Sequence, residues 1–161
     1  MTNAIELLKD QHDEVKDLFE QIESSSGQEK QSLFREIADN LAAHMTIEEE
    51  VFYPAAYAKQ TKDLLTEAVE EHLGLKRLIR DLLTMQPGDP QFDAKVKVLK
   101  EQVEHHVEEE EEDLFEKVTK DMSAKELTTM GSRMEEMFDS EMNGYPSEQV
   151  PEQTARAASL K

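Results

Sequence analysis

The chain repeats itself about every 60 residues, and this constrains its fold more than any other feature. An offset of 60 residues carries His12 onto His72, and an offset of 62 carries His44 onto His106 and Glu48 onto Glu110. The second offset also carries Phe34, Ile37 and Leu41 onto Val96, Leu99 and Val103. Each copy has apolar residues every three or four positions, so the two copies read as related helix hairpins. Packed together they predict an all-α chain, an antiparallel up-down four-helix bundle.

The local signals agree. A first helix is expected from about Asn3 to Ile22, ending at the Ser24–Gly27 loop. A second runs from about Gln28 to Phe52, with Pro54 ending or kinking it because proline lacks a backbone donor. A third runs from about Lys62 to Met85 and is broken by Gln86–Asp89. Asp89 and Pro90 then read as the N-cap and first-turn proline of a fourth, which extends to about Lys120. Ser123 and Glu126 have capping-box spacing and open a short C-terminal fifth helix with a Leu127, Met130, Met134, Met137 stripe. The expected organisation is a bundle over residues 1–122, an accessory helix over 123–143 and a flexible tail over 144–161.

Charge and composition narrow the function. With 18 Lys+Arg against 37 Asp+Glu, the net charge is −19, so nucleic acid is not an expected partner. No apolar run approaches the roughly 20 residues of a membrane span. The opening MTNAIELLKDQHDE lacks the basic and apolar regions of a secretory signal. A count of zero Cys excludes thiolate metal sites, iron–sulfur clusters and disulfides, and a reducing cytoplasm is the simplest location.

The five His are placed unusually. At about 100° per residue, His12 falls inside the arc defined by Ile5, Leu8, Val15 and Phe19, and His72 inside that of Leu65, Ala68, Leu75 and Ile79. Glu48 lies between Ile37 and Leu41, with His44 at the edge of the same stripe; Glu110 lies between Leu99 and Val103, with His106 bordering Leu99. His105 points roughly 160° away from its stripe, a solvated or outer position. His12, His44, Glu48, His72, His106 and Glu110 therefore point into an interior that should be apolar. Buried carboxylates need a counter-charge, and six N/O donors on four helices suit two ions of Fe, Mn or Zn. The alternative is a His–Glu hydrogen-bonded network with no ion.

These residues carry a resemblance. HMTIEEEVFYP, His44 to Pro54, resembles the H-x-x-x-E-E-x-x-x-Y-P signature of hemerythrin-like, HHE cation-binding domains, and HVEEEEEDLF from His106 resembles its second copy. QHDEVKDLF around His12 and EHLGLKRLI around His72 are similar to the family's helix-one and helix-three motifs. The resemblance spans about residues 3 to 120. It implies two iron ions, oxo- or hydroxo-bridged, held by His12, His44, Glu48, His72, His106 and Glu110, with the two Glu as bridges. It also implies O2 or other small oxidants, such as peroxide or nitric oxide, as partners. The sequence departs from the oxygen-carrier pattern at one place. Carriers have a second His one turn from the first on helix three, and here Lys76 follows His72 by four residues. An open position there favours reactivity over simple carriage.

Other readings are blander. No Glu stands three residues before any of the five His, which disfavours ferritin-like Glu-x-x-His carboxylate bundles. HExxH, a phosphate-binding loop and GxSxG are absent. The Glu108–Glu112 run reads as a solvated face apart from Glu110, and Tyr53 and Tyr57 as packing residues. A monomer or weak dimer is expected, with the Met-rich fifth helix packing on the bundle or forming the dimer surface. The alternative function is an iron- or oxygen-responsive regulator that acts through a partner without turnover.

Overall fold

The computed structural model describes residues 2–160, so residues 1 and 161 of the expected bundle and tail lie outside it. The chain is all-helical, and no strand is present among the described residues. Its helices are α1 (Ala4–Glu23), α2 (Gly27–Ile47), α3 (Tyr53–Ala56), α4 (Lys62–Leu83), α5 (Pro90–Glu109), α6 (Phe115–Asp121) and α7 (Ala124–Met142). No helix among the described residues is long and apolar enough to cross a membrane.

Capping chemistry sets several ends. The Asn3 side chain accepts from the Ile5 amide at 2.8 Å and starts α1. Asp89 accepts from the Gln91 amide at 3.2 Å, with Pro90 in the first turn of α5 as the sequence predicts. The Ser123–Glu126 capping box makes both its bonds and starts α7.

Two boundaries differ from the sequence reading, in the same way. The second and fourth helices are not continuous α-helix. Each contains a π turn, Glu48–Phe52 and Glu110–Leu114, that joins α2 to α3 and α5 to α6. The amides of Tyr53 and Phe115 donate five residues back, to the carbonyls of Glu48 and Glu110. The repeat thus extends to the backbone defect itself, and π turns concentrate at functional sites.

The apolar interior divides into two clusters. One is built from Val15 to Ile22, Phe34 to Met45, Leu75 to Leu82 and Phe92 to Val103. The other gathers Ala4 to Leu8, Ile47 to Ala56, Leu65 to Val69 and Leu114 to Val118, together with Leu127, Met130 and Met134 of α7. Between these two layers fall the buried His of α1, α2, α4 and α5 and the Glu that open the two π turns.

Helix α7 packs on α1 and α2. Gly131 allows its closest approach: a Cβ there would overlap the Thr2 carbonyl oxygen and come within 2.7 Å of the Ala4 amide. The segment expected as a flexible tail is instead placed as a 3-10 helix, Pro146–Gln153, against α2 and α4. Val150 and Ser147 are buried there, and the Ser147 amide donates to Asp39 at 3.0 Å. A segment of eight residues with two prolines and one buried valine carries little periodic signal, which is why composition alone reads it as unattached.

Candidate metal centre

The six predicted residues converge. His12, His44, Glu48, His72, His106 and Glu110 are all buried, and Glu48 is fully so. Donor atoms of His12, His44, Glu48 and Glu110 form one group able to hold a cation, and those of Glu48, His72 and His106 form a second. Glu48 belongs to both. His105 is exposed, as the angular count predicts, and joins Glu71 and Glu109 on the outer surface.

All four buried imidazoles turn the same way. Each Nδ1 faces an oxygen outside the cluster: Glu111 Oε2 at 2.7 Å for His12, Gln11 Oε1 at 2.7 Å for His44, Glu49 Oε2 at 2.7 Å for His72 and Glu71 Oε1 at 2.8 Å for His106. An ionised carboxylate or an amide oxygen only accepts, so Nδ1 carries the proton. Each Nε2 then presents either a lone pair or a second proton to the interior. This outer support, which fixes tautomer and ring direction, is how proteins orient metal-ligating His.

The interior atoms are close but poorly satisfied. His12 Nε2 lies 3.2 Å from Glu110 Oε1, and His44 Nε2 3.2 Å from Glu48 Oε1. His72 Nε2 is 3.1 Å from Glu48 Oε1 and 3.2 Å from His106 Nε2. Despite this crowding, His12 Nε2, His44 Nε2, Glu48 Oε2 and Glu110 Oε1 have no hydrogen-bond partner. Buried polar atoms left unpaired are costly, about 1–3 kcal/mol each. Inward N and O donors without partners are what a pair of cations would satisfy, so the donor set fits a metal pair.

The carboxylates of the cluster favour protonated imidazoles against the cost of burial. Burial alone would lower the His106 pKa, but the charges of Glu110 and Glu48 and the hydrogen bond to Glu71 hold it well above the ordinary value of 6.5. Burial is likewise outweighed at His12 by Glu110, Glu48 and Glu111, and at His72 chiefly by hydrogen bonds to Glu48 and Glu49; both are raised. Burial would raise the Glu48 pKa, yet the charge of His44 and the close imidazoles of His106 and His72 hold it well below 4.5.

Three sets of residues escape a plain periodicity count. Tyr53, read as a packing residue, donates its hydroxyl to Glu110 Oε2 at 2.6 Å and lies 3.2 Å from His72 Nε2 and 3.3 Å from His106 Nε2. In a continuous α-helix a residue five beyond Glu48 would be turned about 140° away. The π turn removes much of that offset and brings both inward. Glu111, read as part of a solvated run, holds His12. Gln11, Glu49 and Glu71 also were not singled out. The repeat contained the signal: the offset of 60 maps Gln11 onto Glu71, and the offset of 62 maps Glu49 onto Glu111.

Beside the cluster lies a small cavity of about 20 Å³ whose exposed surface is apolar. The wall includes Val15, Met45, Leu75 and Val107. Its size suits one water-sized molecule.

The family model described as hemerythrin HHE cation binding domain matches residues 3–118. The chain belongs to the hemerythrin HHE cation-binding domain family. A solved HHE cation-binding domain-containing protein from Mycobacterium kansasii superposes on this HHE domain with a TM-score of 0.75 at 26% identity, over 97% of this chain and 94% of that one. A protein from Nostoc sp. (strain PCC 7120) named DNA nickase is 30% identical over 125 residues, 77% of this HHE domain's chain. The match spans only 36% of that longer relative. The buried His/Glu cluster of this HHE domain is able to hold metal.

Proposed function

We propose that this HHE domain is a non-haem di-iron protein that binds O2 or reacts with a small oxidant such as peroxide or nitric oxide. The observation that carries the reading is the set of four unpartnered, inward-facing donor atoms on His12, His44, Glu48 and Glu110. His12, His44, Glu48 and Glu110 would hold one ion and His72 and His106, sharing Glu48, the other. When bound, an iron pair supplies open coordination positions and one-electron redox steps. We infer an antiparallel four-helix bundle as the frame, with α7 as an accessory helix.

The chain's own residues perform definite tasks here. Gln11, Glu49, Glu71 and Glu111 orient the four rings. Tyr53 holds a proton on its oxygen: burial and the charges of Glu110 and Glu48 push its pKa well above 10. That places a neutral O–H donor beside Glu110 and the His72/His106 side. The small apolar cavity excludes bulk water and limits the substrate to a few atoms.

A regulatory reading has one observation in its favour. The Nostoc relative carries the matching region as about a third of its length, which suits a sensing module within a larger protein. Nicking of DNA is not carried over, because a net charge of −19 opposes phosphate contact.

The test is an anaerobic optical spectrum of the iron-loaded protein, followed by air. Charge-transfer bands that appear in air support the oxidant reading; bands that revert under vacuum favour O2 binding, and bands that persist favour oxidation. A protein that takes up only zinc, or no metal, refutes it.

A further inference from the structure

We propose that Lys76 is a positioning residue of the metal centre: acting through Glu49, it fixes the His72 ring and sets the donor strength of the His72/His106 side. The inference rests on the metal reading above. Lys76 is buried, with 5% of its surface exposed. Its Nζ donates to Glu49 Oε1 at 2.9 Å, while Glu49 Oε2 accepts from His72 Nδ1 at 2.7 Å. The three side chains form a continuous chain, Lys76–Glu49–His72, whose far end is an interior Nε2.

The repeat supplies an internal comparison. Offsets of 60 and 62 residues carry His12, Lys16 and Glu111 onto His72, Lys76 and, in reverse, Glu49. His12 is held by Glu111 just as His72 is held by Glu49. Lys16, however, is exposed, and the Glu111 side chain is 34% exposed against 10% for Glu49. The same His–carboxylate unit therefore occurs twice, and a buried ammonium is locked behind only one copy.

Two physical consequences follow. Bonds at both oxygens fix the plane of the Glu49 carboxylate, and with it the His72 ring. The ammonium also draws charge from Glu49, so less is available to enrich the imidazole through Nδ1–H. The two halves of the centre consequently differ in metal affinity and ligand field. Burying an ammonium costs stability unless it is paired, so a residue that only filled space here would be better served by an apolar side chain.

The test is a Co(II) titration followed by visible absorption, on the wild type and on Lys76→Met, Lys76→Arg, Lys16→Met, Glu49→Gln and the Lys76→Met/Glu49→Gln pair. The wild type is expected to take up two ions. Lys76→Met should weaken one of them about tenfold, because loss of the fixed His72 ring outweighs the charge returned to the imidazole, and shift its bands, leaving the other unchanged. Lys76→Arg should regain most of the affinity with bands still displaced, and Lys16→Met should match the wild type. The double variant should be no weaker than Glu49→Gln alone. Lys76→Met with wild-type affinity and bands overturns the proposal. So does an equal loss of both ions alongside a lower metal-free Tm, or additive losses in the double variant. Should Lys76→Met fail to fold, Lys76→Arg with unshifted bands overturns it. A wild type that binds no Co(II) overturns the metal reading and this inference with it; two ions bound alike by all variants overturns only the role of Lys76.

Discussion

At the scale of single residues, the six interior donors were legible because helical angle and repeat select them independently. Each His or Glu on an apolar stripe is ambiguous alone; the match of His44 and Glu48 to His106 and Glu110 is what removes the ambiguity. Tyr53 was not legible, since its inward turn depends on a backbone defect with no residue signature. Its hydroxyl is the one protein proton donor to Glu110 Oε2 that the structure shows. Tyr53→Phe is expected to leave that oxygen buried and unpaired, costing about 1–3 kcal/mol in the metal-free protein by urea unfolding. The iron-loaded variant should keep its metal while its optical bands move. Unchanged stability and bands together would show that the phenol is only packing.

At the scale of elements, the paired π turns tie sequence repeat to chemistry. Phe115 is the repeat partner of Tyr53, and its ring lies parallel to His12 at 6.1 Å, as the Tyr53 ring stacks on His72 at 5.4 Å. Both hairpins thus present an aromatic ring to a ligand His, but only one carries a hydroxyl. Helix α7 and the 3-10 segment cover this frame through small contacts that can be tested separately. Gly131→Ala puts a methyl into the α1 N-terminus, and an overpacking loss of about 1–3 kcal/mol is expected by chemical denaturation. Val150→Ala removes apolar contact under Pro146–Gln153; a loss of about 1–2 kcal/mol is expected in the same assay. No change at Val150 would return the segment to the unattached tail that its composition suggests.

At the scale of the whole molecule, the polar layer between two apolar clusters makes stability depend on pH and metal together. The raised pKa values of His12, His72 and His106 contribute stability that is complete below 6.5 and is lost as pH rises through their folded values. The lowered values of Glu48, Glu49 and Glu71 contribute stability that is present above 4.5 and is lost as pH falls through theirs. The metal-free protein should therefore gain most from this layer between about pH 4.5 and 6.5. Metal needs deprotonated imidazoles, so the Tm increment on loading should grow as pH rises from 6 to 8. A loading increment that is flat across that range would mean that the histidines do not exchange protons for metal.

The most direct measurement is metal per chain, by elemental analysis, for the wild type and Glu48→Ala after identical iron loading. Glu48 is the one residue common to both candidate groups. Two irons in the wild type, with fewer than one tightly held in Glu48→Ala, is the result the shared-carboxylate centre requires. Two irons in both proteins, or none in the wild type, would contradict it.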